Sequence, residues 1–138
     1  MNTYNFNDQN FKSMPIYQTF IKNNSTQGYL KIRASAASEA LPISNLKIEV
    51  SKIIEGNKII FYEGNTDSSG VIEKIVLPTP KLNQDNLLTP QGESYDIKAT
   101  YDDNLINIYH VNIYENIYVV QTINIVPSNK LTRGALWL

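Results

Sequence analysis

The chain has one histidine, His110, and no cysteine, so any nucleophilic or metal chemistry must be assembled from a single imidazole and the carboxylates. His110 lies in INIYHVNIY. No second His, Cys, Asp or Glu stands near it at metal-ligand spacing, so it is expected to be an ordinary strand residue. A serine triad would have to recruit the same imidazole, yet the chain contains no G-x-S-x-G elbow. Paired carboxylates, the chemistry of glycan cleavage, are the remaining route. The candidates are Glu39, Glu49, Glu63, Glu73, Glu93, Asp96 and Glu115. Most fall at solvent-facing alternation positions or in turns, where a solvated charge is the ordinary expectation. Asp102-Asp103-Asn104 lacks the alternating oxygen ligands and closing glutamate of a calcium loop and reads as a turn. No catalytic residue, metal or cofactor is expected.

Binding is the better prospect. Of nine tyrosines, Tyr109, Tyr114 and Tyr118 cluster around the last turn and could offer flat amphipathic rings to a sugar or a protein. The plain alternative is that tyrosine favours strands. A spontaneous isopeptide bond between Lys31 and Asn124 would need a lysine buried beside a carboxylic acid, so that its ammonium loses a proton. Lys31 alternates with Leu30 and Ile32 and is expected to face water.

The elements that must position these groups are strands. Leu30, Ile32 and Ala34 alternate with Lys31, Arg33 and Ser35; Leu46, Ile48 and Val50 alternate with Lys47, Glu49 and Ser51. Period two marks strands with one buried face. Glu55-Gly56-Asn57 divides two apolar runs and predicts a hairpin. Thr66-Asp67-Ser68-Ser69-Gly70 is a turn leading into a strand over Val71 to Leu77. Pro78, Pro80 and Pro90 bracket a long loop. Strands follow over Tyr95 to Tyr101, Ile106 to Tyr114 and Tyr118 to Val126, separated by Asp102-Asp103-Asn104 and Glu115-Asn116 and stopped by Pro127. The expected fold is an all-β, seven-stranded antiparallel sandwich of prealbumin or immunoglobulin type. Residues 1–27 form an N-terminal arm, partly disordered, with a short helix over 16–23. Residues 28–127 form the sandwich, and 128–138 a tail whose Leu131, Leu136, Trp137 and Leu138 must fold back or meet a partner.

A chain of 138 residues with 42% hydrophobic content fills one core. Twelve basic against 13 acidic residues, a net charge of −1, supply no field to attract nucleic acid. No run approaches the roughly 18 apolar residues of a membrane span, and the first residues have no charged segment followed by an apolar one. The chain is expected to be made as a soluble protein, its compartment left open.

Residues TQGYLKIRASAASEALPISNLKIEV, NTDSSGVIEKIVLPTPKLNQ, SYDIKATYDD and QTINIVPS, in this order, resemble the transthyretin-like, carboxypeptidase regulatory-like domain of bacterial spore cortex-lytic proteins. The likeness runs over roughly residues 16 to 127. It rests most on Gly28-Tyr29-Leu30-Lys31, Leu41-Pro42-Ile43, Thr66-Asp67 with Gly70, Leu77-Pro78 with Pro80, Tyr95-Asp96-Ile97 and Ile125-Val126-Pro127. Gly28, Pro42, Thr66, Asp67, Gly70 and Pro127 are thus its structural motif residues. The sequence departs from the family at Asn45-Leu46 and at Asp102-Asp103-Asn104, where the family has glycine; Asn and Asp tolerate positive φ well enough to keep such turns. The resemblance implies a non-catalytic accessory domain for binding, assembly or regulation, associated with spores. Peptidoglycan or a lytic enzyme on another chain would be its partner. The hydrolase of purine breakdown that shares this fold uses several histidines, which one histidine does not match. The alternative is a self-associating envelope subunit that uses a strand edge and the C-terminal tail.

Overall fold

The computed structural model describes residues 1–37, 40–83 and 88–125. In chain order the elements are β1 (Thr3–Asn5), α1 (Gln9–Lys12), α2 (Pro15–Asn23), β2 (Thr26–Ala36), β3 (Leu41–Pro42), β4 (Lys47–Ile54), β5 (Asn57–Asn65), β6 (Val71–Thr79), β7 (Glu93–Tyr101), β8 (Asn104–Ile113) and β9 (Tyr118–Ile125). One sheet has the order β1-β5-β4-β7-β8. In the other, β9 pairs with one side of β2 from Tyr29 to Ala36, while β6 and then β3 occupy the opposite side.

The alternating residues read from the sequence become the core. Leu30, Ile32 and Ala34 of β2, with Ile123 and Ile125 of β9, face Ile48 and Val50 of β4 and Tyr95, Ile97 and Ala99 of β7. Each buried aliphatic side chain contributes about 1.5–3 kcal/mol, and packing two such faces is what a sandwich requires. Tyr95 is fully buried and its hydroxyl donates to the Pro78 carbonyl at 2.6 Å. Burial foremost, with the charge of Glu93, pushes this phenol far above its ordinary value, so it remains a donor.

Three expectations are corrected. The described residues hold nine strands rather than seven, and two pairings are parallel, β1 with β5 and β2 with β9. β1 and β3 are three and two residues long, too short for a periodicity to show. β9 is parallel to β2 because the link 114–117 carries the chain from one sheet to the other instead of reversing it. Asn116 N–H donates to the Gln27 carbonyl and Tyr29 N–H to that of Ile117, which sets the crossing beside the start of β2.

The second correction concerns Pro78, which lies inside β6 opposite Gln27 rather than opening a loop. β6 is an outer strand, where a missing N–H leaves no ladder bond broken. The third concerns the arm, expected to be partly disordered. Thr3–Asn5 adds to β5, and Phe11 is fully buried among the rings of Tyr4, Phe6 and Tyr17. The helix expected over 16–23 is α2, started by Pro15 at its first position, where the missing N–H costs nothing. Pro127 and the tail 128–138 lie outside the described residues, as does Glu39.

The turn chemistry follows the sequence closely. Glu55 and Gly56 both take positive φ, 48° and 79°, as a two-residue hairpin demands. Asn45, Asp102 and Asp103 take φ of 59°, 52° and 62°, the left-handed region that Asn and Asp tolerate better than other non-glycine residues. Thr66 is buried and ties the approach to β4. Its hydroxyl donates to the Ile43 carbonyl at 2.7 Å and accepts from Leu46 N–H at 3.0 Å. Asp67 Oδ1 accepts from Ser69 and Val71 N–H, closing the turn before β6. Gly28 is required by a close approach, since a Cβ there would lie 2.2 Å from the Tyr114 carbonyl oxygen.

Candidate functional site

The most organised exposed group lies on the outer face of the β2 sheet. Tyr29 and Tyr118 are direct partners across the parallel β2–β9 pair. Their ring centroids are 4.8 Å apart with an interplanar angle of 26°. That distance is the spacing of neighbouring strands, so the rings stand side by side as stacked plates. On the β6 side, Lys74 Nζ lies over the Tyr29 ring, 4.8 Å from its centroid, a cation–π contact.

A β-bulge makes this arrangement. Leu30 pairs with Ile75 but Ile32 with Ile72, so Glu73 and Lys74 together stand opposite Lys31. One extra residue turns both charged side chains outward, which is why buried Ile72 and Ile75 are three apart rather than two or four. Lys74 reaches Tyr29, and Glu73 pairs with Lys31 at 3.4 Å. Gln27 Nε2 lies 3.4 Å from the Tyr29 hydroxyl. Tyr29 is therefore held between Lys74 and Tyr118. Tyr118 is 55% exposed and, among the described residues, sits on an outer strand of its sheet. Among the described residues its ring meets only that of Tyr29, so one aromatic face is left open beside hydrogen-bonding side chains.

The three tyrosines singled out by sequence do not form one site. Tyr118 belongs to the stack, whereas Tyr109 lies opposite Ile97 on β7 and packs against the core. Tyr114 sits in the crossing between sheets, with its carbonyl over Gly28 and its ring over Gly92. Tyr29 and Lys74 were missed as binding residues because a parallel pairing and a bulge bring them to Tyr118. The three-residue interval between Ile72 and Ile75 was the one visible trace of the bulge.

The opposite outer face, on the β4 sheet, is charged and internally paired. The Asp96 carboxylate accepts from His110 Nδ1 at 2.6 Å. Ser51 stands opposite Asp96, not opposite His110, so the row reads Ser-Asp-His and the serine has no neighbouring base. Glu49 is 6% exposed, with Lys58 Nζ at 2.7 Å and Lys98 Nζ at 3.3 Å. Burial alone would raise its pKa, but hydrogen bonding and charge from the two ammonium groups outweigh that and hold it below the usual carboxylate value.

Because the folded pKa is lowered, the stabilisation by Glu49 is complete above its unfolded value near 4.5 and is lost as pH falls through the folded value. Glu49→Gln should cost about 2 kcal/mol at pH 7 and flatten the acid-side loss of stability. Urea midpoints at pH 7 and about pH 3 measure both effects. Equal pH dependence in wild type and variant would remove Glu49 as a source of acid sensitivity.

The remaining candidate carboxylates are also engaged. Glu63 pairs with Lys47, Glu93 with Lys52, and Glu115 Oε1 accepts from Leu82 N–H at 2.7 Å. Among the described residues no three His, Cys, Asp or Glu side chains stand together as metal ligands, and no helix is long and apolar enough to cross a membrane. Lys31 is four positions along the parallel pair from Asn124, which lies opposite Ser35. At about 3.3 Å per residue this separates them by about 13 Å, too far for an isopeptide bond.

No protein-family model matches the chain, and no curated protein is significantly similar to it in sequence. Its fold is similar to that of 5-hydroxyisourate hydrolase from Klebsiella pneumoniae, with 14% identity, a TM-score of 0.45, and coverage of 71% of this chain and 90% of that one. It is similar to transthyretin from Sparus aurata at 12% identity and a TM-score of 0.42, with the same coverage. The dioxygenase domain of a dioxygenase carbohydrate-binding protein fusion from Streptomyces sp. SirexAA-E has 8% identity and a TM-score of 0.39, with coverage of 93% and 90%. At scores below 0.5, none of these likenesses bears on what the chain binds or catalyses.

Proposed function

We propose that the chain is a non-catalytic binding module of a spore cortex-lytic system, which holds a peptidoglycan glycan against the open face of Tyr118. The observation that carries this is the Lys74–Tyr29–Tyr118 stack, which presents one ring on a flat sheet face with its orientation already set. A sugar ring has an apolar face that stacks on an aromatic plate and hydroxyls at its rim. Gln27 and the Lys31–Glu73 pair supply hydrogen-bonding partners nearby. A pre-set ring loses little freedom on binding, which favours affinity. The resemblance to cortex-lytic proteins supplies the polymer. The gain for a lytic enzyme on the same complex is effective concentration, on the order of millimolar. The serine-to-aspartate pairing at Ser51 and the ion-paired carboxylates support a role without catalysis.

Co-sedimentation with insoluble cortex peptidoglycan tests the assignment. Saturable binding is expected, weakened about tenfold by Tyr118→Ala, as the loss of one stacking contact implies. Tyr109→Ala should instead lower stability and leave binding by the folded protein unchanged. Absence of binding to glycan would overturn the proposal, and recovery of one lytic protein in its place would make the module an assembly subunit.

A further inference from the structure

Charge is divided unequally between the two sheets. The strands of the β4 sheet carry Lys47, Lys52, Lys58 and Lys98 against Glu49, Glu63, Glu93 and Asp96. Each has a partner: Lys47 with Glu63, Lys52 with Glu93, Lys58 and Lys98 with Glu49, and Asp96 with His110. That sheet is balanced and internally paired. The strands of the β2 sheet carry Lys31, Arg33 and Lys74 against Glu73 alone, a positive excess in a chain whose net charge is −1.

Glu73 neutralises Lys31, and Lys74 lies over the Tyr29 ring. Arg33 is exposed, and among the described residues its guanidinium has no partner. It stands four positions from Tyr29 on β2, between Val71 of β6 and Thr122 of β9, neither of which brings a carboxylate. At about 3.3 Å per residue it lies about 13 Å along the strands from the Tyr29–Tyr118 stack. Both alternate to the same side as Lys31, the outer face of the sheet.

Building on the assignment of Tyr118 as a sugar-stacking plate, we propose that Arg33 is an anion subsite of the same face, so that the glycan it selects is one bearing carboxylates. A guanidinium donates two parallel hydrogen bonds to one carboxylate, a geometry that a sugar hydroxyl does not match. With one ring stacked on Tyr118, a few linked sugars running along the strands bring a later carboxylate to Arg33. A lone unpaired cation suits a polymer whose charge recurs only once in several units. A nucleic acid carries a phosphate on every nucleotide and would need cations all along its path, whereas Lys31, between the stack and Arg33, is already held by Glu73.

Calorimetric titration of the full chain with soluble peptidoglycan fragments, and with the same fragments after their carboxylates are converted to amides, separates the two contacts. Wild type should bind the acidic fragments about fivefold more tightly than the amidated ones, the scale of one exposed ion pair. Arg33→Gln should lose that preference and bind the amidated fragments as wild type does, with unchanged circular dichroism. Tyr118→Ala should weaken both fragments alike. Lys47→Gln, which removes the same charge from the opposite sheet, should leave the preference intact. Equal wild-type affinity for the two fragments, a preference that survives Arg33→Gln, or one that Lys47→Gln also abolishes would overturn the anion subsite while leaving the stacking plate standing. Inorganic polyphosphate binding as tightly as the acidic fragments would overturn it too, since the face would then collect any polyanion. Absence of binding to either fragment would remove the glycan reading and this subsite with it.

Discussion

Gly70→Ala is expected to destabilise the chain by about 3 kcal/mol, while Gly56→Ala costs about 1 kcal/mol. Both glycines have nearly the same left-handed backbone, φ of 76° and 79°, so the conformational cost of adding a Cβ is common to both. They differ in what the Cβ would meet. At Gly56 nothing lies within 4 Å, whereas at Gly70 the Ala34 carbonyl oxygen would be 2.3 Å away and the Ile43 nitrogen 3.0 Å. These are backbone atoms already bonded to each other, since Ile43 N–H donates to the Ala34 carbonyl, and Ala34 N–H donates to that of Gly70. No flexible side chain can yield. The difference between the two variants in urea-unfolding free energy isolates the contact, and equal costs would show that only φ matters at Gly70.

Phe11→Ala is expected to cost about 3–4 kcal/mol, in the range for emptying a fully buried aromatic site. Phe11 is 0% exposed, with Tyr4 at 6.1 Å, Phe6 at 6.1 Å and Tyr17 at 5.5 Å between ring centroids. Phe6 in turn stacks on Phe61 at 4.6 Å, and Phe61 meets Tyr95 edge-on at 5.0 Å. A chain of rings thus runs from the arm to the centre of the sandwich, so loss of Phe11 should lower the single unfolding transition rather than free the arm alone. Urea denaturation followed by both tyrosine fluorescence and backbone circular dichroism tests this. A cost under about 1 kcal/mol, with early hydrogen exchange confined to the first residues, would show that the arm is an independent unit.

The phenylalanines of the arm explain why it was misread. Asn, Gln and Asp surround Phe6 and Phe11, so neither period two nor the helical period emerges over so few residues, and a polar stretch with isolated apolar residues looks unstructured. The apolar partner that orders it, Phe61, lies some fifty positions away on β5. By contrast, β2 and β4 were legible because Leu30, Ile32 and Ala34 and then Ile48 and Val50 fall at every second position and bury one face.

The sequence by itself determined the local rules. It marked which residues alternate, where Gly56, Asp102 and Asp103 turn the chain, and that one histidine with no cysteine leaves few routes to catalysis. Those properties depend on residues within a few positions of each other, where φ preferences and the two-residue period act directly. Tertiary structure alone decided that β9 runs parallel to β2, that Tyr118 meets Tyr29, and that Tyr109 faces the core. Strand order and the direction of a crossing are set by the packing of two whole faces against each other, between residues some ninety positions apart. No local period encodes that choice.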